Sequence, residues 1–431
     1  MLVGLLLVTL AFETWFFSRL DRKLFGTWIT PFTVLAYPYL AVVCLAYLLA
    51  GPLDFVSLYP QSLAIWALGL CLIWATGAFL GWGLLDLRGS GWSQPGNGLA
   101  SHNTPAVQKL ASRLAWITLP LMAYGVVTSV WAAGGWSQIA TPDFKAAYSS
   151  GIHGHAMVFS CFLTIVLIGV YKRRDGFQLL TIVLLLFFIA LSQVKKNPVL
   201  AVLGGALFRL MTGRMQFSLK KAAALVAITY VIFNVIYLLG MVILSPENAL
   251  DGATYAFLAT HYLHYLFAGP LALSESLRLG AKDVGGDWST IFAPFINLFH
   301  ALARNHNLIA SGSATEKGMT IDASSAAAVG TNVYTVFGTL YLYLGTTGAA
   351  IYTLVAGFFT YGLLVAALRR NQVWLTAAYC LIAAQLTLGF FDLYFWHLDF
   401  LEVLTAGIVL TLADRHWSSA LRLCPKSATL G

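Results

Sequence analysis

The chain has 431 residues, of which 59% are hydrophobic and only 10% charged, and the apolar side chains come in blocks of about twenty. A soluble helical protein is thereby excluded, since it needs charged faces alternating with apolar stripes, and stretches such as Leu179–Leu191 and Ala222–Leu244 offer almost none. The net charge of +8 does not point to nucleic acid, because the basic residues form short clusters beside the apolar blocks, where membrane orientation puts them.

The expected fold is all-α, a single polytopic membrane domain over residues 1–431 with about eleven transmembrane helices, within a range of about ten to thirteen. In chain order the spans read Leu2–Phe17, Ile29–Leu49, Ser62–Leu85, Leu114–Ala133, His153–Tyr171, Phe177–Ser192, Pro198–Met211, Ala222–Leu244, Thr347–Leu368, Trp374–Phe391 and Leu398–Ala413. An outward N-terminus puts most Lys and Arg inside, leaving Lys145, Lys195, Lys196, Arg278, Lys282, Arg304 and Lys317 outside. Lys195 and Lys196 occupy a very short outward turn, SQVKKNP, where orientation disfavours cations most, so an anionic group is expected beside them: a substrate or a lipid phosphate.

Residues 245–346 form the longest connection, expected to be a functional extracytoplasmic loop. Its first half, Ala253–Gly280, is aromatic and amphipathic enough to lie on or dip into the membrane, and Ser311–Ala328, rich in small and polar residues, reads as mobile. The loop ends in Gly330–Gly348, GTNVYTVFGTLYLYLGTTG, which gathers glycines, an amide, tyrosines and hydroxyls at a membrane boundary. Taken alone, such glycines serve close helix packing and such tyrosines serve as interfacial anchors.

No GxGxxG, Walker, HExxH or GxSxG pattern occurs. Cys44, Cys71, Cys161 and Cys380 lie in apolar blocks and Cys424 in the tail, with no CxxC, so neither a disulfide framework nor a metal site is indicated. Basic and aromatic side chains instead accumulate on the outward face: His153, His155, Lys195, Lys196, His261, His264, Arg278, Arg304, His306, Tyr334 and Tyr341. Cations suit a developing diphosphate charge, while aromatic faces and amide or hydroxyl groups suit sugars. His153 and His155, two apart, point to different faces of a helix, so a polar cap, a substrate bond, a catalytic role and a metal ligand all stay open for them. Glu13, Asp399 and Glu402 fall in or beside spans, where a carboxylate is expected to be paired or to line a polar cavity.

The run Gly330-Thr331-Asn332-Val333-Tyr334-Thr335, followed by a Tyr-rich turn, Leu344-Gly345, Gly348 and an apolar helix, resembles the late signature of the Wzy-type oligosaccharide repeat-unit polymerases, often called O-antigen polymerases. Many members carry an acidic residue before the glycine; here Tyr343-Leu344 stand there, so no role for that carboxylate carries over. The resemblance implies a glycosyltransferase of the bacterial inner membrane. It would join undecaprenyl-diphosphate-linked oligosaccharide repeat units on the periplasmic face, require no cofactor, and work with membrane lipids and a chain-length regulator as partners rather than with nucleic acid. Lys195, Lys196, Arg278 and Arg304 would then clamp the diphosphate, and Asn332, Tyr334, Thr335 and Tyr341 would line the sugar site. His153, His155 and Glu275 are the candidates for a general base. A lipid-linked glycan ligase shares the donor; a secondary transporter would use the intramembrane carboxylates and predicts inverted repeats, which the single lopsided loop disfavours.

Overall fold

A computed structural model describes residues 2–84, 104–139, 141–173, 175–192, 196–244, 252–280, 288–303, 319–320, 330–331, 333–370, 372–396 and 398–423. The described residues form helices α1 (Leu2–Phe25), α2 (Pro31–Leu49), α3 (Pro60–Phe79, closed by a π turn at Leu80–Leu84), α4 (Thr104–Ala132), α5 (Pro142–Tyr148), α6 (Gly151–Val170), α7 (Gly176–Leu191) and α8 (Lys196–Met211). They continue with α9 (Leu219–Leu244), α10 (Gly252–Arg278), α11 (Trp288–Leu302), α12 (Val336–Arg370), α13 (Val373–Thr387) and α14 (Asp399–Leu423). Two-residue strands, β1 (Met319–Thr320) and β2 (Gly330–Thr331), pair antiparallel.

Every expected span has a helix in its place. Seven helices among the described residues are long and apolar enough to cross a bilayer (α1, α2, α3, α4, α6, α12 and α13), and α7 and α8 supply shorter apolar helices. Large apolar side chains such as Leu5, Val8, Phe12, Leu48, Ile117 and Val355 lie exposed on them, which lipid tolerates and water would not. The protein is thus an α-helical membrane protein. Its centre is α13, in which every residue from Val373 to Leu386 is buried, the mark of a helix apolar on all sides and enclosed by others.

Small residues let the helices close on one another, as van der Waals packing in lipid requires. A Cβ built at Gly77 would stand 2.4 Å from the Tyr361 ring, and one at Gly169 would stand 2.2 Å from Phe208. Polar groups seal one end of the bundle. Arg209 donates to the carbonyls of Ile168 and Tyr171 at 3.1 Å, and Arg214 to that of Gly169 at 2.8 Å, so these two cations satisfy the last carbonyls of α6 besides marking the basic end.

α12 doubles back on itself. Phe337 packs on Gly69 of α3, whereas Gly357 packs on Thr76 and Tyr361 on Gly77. Along a straight helix Phe337 and Gly357 would be about 30 Å apart, yet their partners on α3 are separated by only about 10 Å. The reversal sits at Gly345, whose φ of 66° and ψ of −179° fall in a region open essentially to glycine alone. α12 therefore comprises a short arm, Val336–Leu344, and a spanning arm, Thr346–Arg370. Gly345→Ala is expected to cost about 1–3 kcal/mol through that backbone strain, read as a lower thermal midpoint of the purified protein in detergent.

In the 245–346 segment, the second half of α10 is buried against other elements, with every residue from Phe267 to Leu277 covered. Phe267 meets Phe55, Gly269 meets the Phe390 carbonyl, and Ser274 bonds Ser62 at 2.8 Å. The helix with one exposed apolar face is α11, which leaves Trp288, Phe295, Leu298, Phe299 and Leu302 uncovered. Ser311–Ala328 lies outside the described residues apart from Met319 and Thr320 in β1.

Candidate active site

The site lies at the end of the bundle opposite the basic cluster, where α10, the short arm of α12 and the turn after α13 meet. Thr335 fixes the junction. Its hydroxyl accepts from Trp66 Nε1 at 3.0 Å and caps the short arm by accepting from the Gly338 amide at 3.1 Å, while its own amide donates to the Phe391 carbonyl at 3.3 Å. These bonds hold Thr335 at φ 68°, a left-handed conformation that costs a residue with a branched Cβ about 1–3 kcal/mol and persists only when the surroundings over-determine it. Trp66 is itself fixed by stacking on Tyr39, with ring centroids 3.6 Å apart. Thr335 is fully buried, so it shapes the site from within.

Beside this junction, α9 and α10 bring together a group of rings. His261, His264 and Tyr265 occupy positions i, i+3 and i+4 of α10, one face of the helix. His261 Nε2 is 2.5 Å from the Tyr237 hydroxyl on α9, and that hydroxyl donates to Tyr265 Oη at 3.2 Å. Tyr265 stacks on Phe391, with centroids 5.4 Å apart, which joins the ring group to the carbonyl that receives Thr335. Tyr394, in the 3-10 turn after α13, is buried near Asp392, Asp399 and Tyr265, and burial first, then those neighbours, holds its phenol well above the ordinary tyrosine range. It is therefore a neutral donor. Removing the shared hydroxyl with Tyr237→Phe is expected to cost about 0.5–1.5 kcal/mol, the net worth of a typical hydrogen bond, measured as thermal stability in detergent.

At the far end of α10, about 20 Å from Tyr265 along the helix, Arg278 donates from Nε and Nη2 to the two carboxylate oxygens of Glu275 at 2.8 and 2.7 Å. This fork-to-fork pair points the exposed guanidinium outward and raises its already high pKa, chiefly through the hydrogen bonds. Glu275 is buried and both its oxygens are engaged, so it serves to orient Arg278 and is a poor base.

The two histidines of α6 diverge as a helix requires. His153 packs against Gly125 and Tyr124 of α4, with Nε2 3.4 Å from the Thr128 hydroxyl. His155 pairs with Glu402 of α14 at 2.9 Å. One turn before Glu402, Asp399 accepts from Gln385 at 3.1 Å, and Glu13 accepts from Cys71 at 3.3 Å, so all three expected intramembrane carboxylates have partners. Tyr334 is buried, and burial raises its phenol pKa, while Tyr341 is half-buried on the short arm of α12. Lys196 opens α8; Lys195, Arg304 and Asn332 lie outside the described residues. Among the described residues, no three His, Cys, Asp or Glu side chains gather in a metal-binding arrangement.

The geometry adds Tyr237, Tyr265 and Tyr394, which the sequence reading did not single out. For Tyr265 a signal existed in the i, i+3, i+4 spacing of HYLHY; Tyr237 and Tyr394 are tyrosines among many in apolar surroundings, and only the fold distinguishes them. No curated protein and no solved structure matches the chain. The profile of one family, described as a family of unknown function (DUF6337), matches residues 54–420. That match covers most of the chain, from before α3 into α14 and across all the residues of the ring group and the Thr335 junction, and the protein accordingly belongs to the DUF6337 family.

Proposed function

We propose that this protein is a polysaccharide polymerase of a bacterial inner membrane. In this reading eleven spans carry an outward N-terminus, and the end bearing α10 and the short arm of α12 faces the periplasm. The donor is a growing glycan on undecaprenyl diphosphate and the acceptor is a second lipid-linked repeat unit. The bond between the donor sugar's anomeric carbon and the diphosphate oxygen breaks, its electron pair leaving with the lipid diphosphate. A bond from the acceptor hydroxyl oxygen to that carbon forms, and the hydroxyl proton passes to a base or to solvent.

The observation that carries the reading is the presence on one helix, α10, of an oriented outward cation and, about 20 Å away along it, a group of sugar-compatible rings. Arg278, fixed by Glu275, supplies fixed positive charge for a departing diphosphate without a metal. Tyr237, His261 and Tyr265 supply ring faces and hydroxyl or imidazole groups for sugar hydroxyls, and Tyr334 and Tyr341 lie within the stretch that resembles the polymerase signature. Lys195, Lys196 and Arg304 are the further clamp candidates, and Asn332 a further sugar ligand. Thr335 acts by holding the short arm in place. His261, bonded to Tyr237, joins His155 as a candidate base.

The test is incubation of the purified protein with lipid-linked repeat units. A ladder of polymer sizes is expected. A single transfer onto a different acceptor would instead identify a ligase, and no glycan product at all would refute the proposal.

A further inference from the structure

α1 carries a polar face that the glycan chemistry does not use. Glu13, Thr14, Ser18 and Asp21 are all buried on a helix whose other faces expose Phe12, Trp15 and Phe16. Thr14, Ser18 and Asp21 follow each other at i, i+4 and i+7, one stripe of a helix. The Thr14 and Ser18 hydroxyl oxygens and Asp21 Oδ1 are buried without a hydrogen-bond partner. Asp21 Oδ2, by contrast, accepts from the Thr30 and Tyr361 hydroxyls, each at 2.5 Å. One oxygen of this carboxyl is therefore doubly bonded and the other bare.

Among the described residues, no ion pair is formed by Asp21. The groups facing Asp21 from the elements packed around it are Thr30 before α2, Tyr361 of α12 and Tyr379 of α13. The arginines of α1 itself turn away: Arg19 lies over Trp15 at 4.6 Å and Arg22 over Trp28 at 4.7 Å. A bare carboxylate oxygen in such surroundings is costly, and a proton on the carboxyl removes that charge. Half-way along the helix, buried Glu13 accepts from the weak Cys71 thiol at 3.3 Å.

We propose that the buried face of α1 is a proton-binding stripe, with Asp21 near the basic end and Glu13 at mid-span as its two sites and the Ser18 and Thr14 hydroxyls between them. Intramembrane carboxyls are the usual substance of proton relays. The inference stands apart from the glycan reading, and either can fail alone.

Infrared spectroscopy of the full-length protein in lipid nanodiscs tests it. At neutral pH the wild type is expected to show protonated-carboxyl C=O absorption that shifts in deuterium oxide. Asp21→Asn should remove one component, Glu13→Gln another, and Tyr361→Phe should shift the Asp21 component by deleting a donor to Oδ2. Should a variant fail to fold, the wild type alone decides: absorption that persists as pH is raised past the ordinary carboxylate range supports the stripe. Absence of that absorption at neutral pH, its survival in both carboxyl variants, or its abolition by sodium ions would overturn it.

Discussion

Arg278→Leu is expected to reduce polymer formation about a hundred- to a thousandfold, the usual consequence of removing a group that stabilises charge in the transition state. The substitution also strips buried Glu275 of both its hydrogen bonds, and an uncompensated buried carboxylate destabilises a fold by itself. A pair of controls separates the two effects. Glu275→Leu combined with Arg278→Leu leaves no orphaned charge, so folding and membrane level should recover while turnover stays lost. Arg278→Lys keeps a cation without the two-pronged geometry, so part of the activity should return. Recovery of turnover in the double leucine variant would reduce Arg278 to a partner for Glu275.

The second large effect is expected at Gly269. A Cβ there would stand 2.3 Å from the Phe390 carbonyl oxygen, 2.9 Å from that of Phe391 and 3.1 Å from Thr335 Cγ2. Two of these obstacles are backbone, which cannot swing aside as a side chain can. Gly269→Val should therefore push α10 off the turn after α13, separate Tyr265 from Phe391 and loosen the bond from Thr335 to the Phe391 carbonyl. Overpacking of this kind costs about 1–3 kcal/mol or more, and both thermal midpoint and turnover should fall. Gly252→Ala, at the start of the same helix with open space around it, should stay within about 0.5 kcal/mol of wild type.

Much of the fold was legible because lipid imposes a simple rule: apolar blocks of about twenty residues become helices, and every block read from the sequence has one. The divergence of His153 and His155 followed from helical periodicity alone. The sequence left open whether α10 lies on the membrane or dips into it, because an aromatic, weakly polar stretch has the same composition on a membrane surface as inside a bundle; Phe55, Ser62 and the Phe390 carbonyl, distant in sequence, cover its second half. The turn in α12 hid within an apolar run rich in glycines, of which only Gly345 makes the reversal. Thr335 gave no sign of its left-handed backbone, since a residue with a branched Cβ is the last expected there and its stability depends on Trp66 and Phe391.

Asp21 escaped notice for a different reason. Flanked by Arg19, Arg22 and Lys23, it reads as one charge in a solvated basic cluster, and the first apolar block reads as ending at Phe17. The structure extends α1 to Phe25, which turns Asp21 inward to Thr30 and Tyr361 while the arginines lie over tryptophans. Among the site residues, His261 and His264 were visible in the sequence and Tyr265 was signalled by its spacing from them, whereas Tyr237 and Tyr394 were supplied by tertiary contact alone.

The most direct measurement follows the leaving group. Purified protein supplied with lipid-linked repeat units should liberate one undecaprenyl diphosphate for each glycosidic bond in the growing chain. No added nucleotide or metal should be needed, and release and chain growth should slow together in the double leucine variant of Glu275 and Arg278. Polymer growth without matching diphosphate release, or release without polymer, would contradict the assignment.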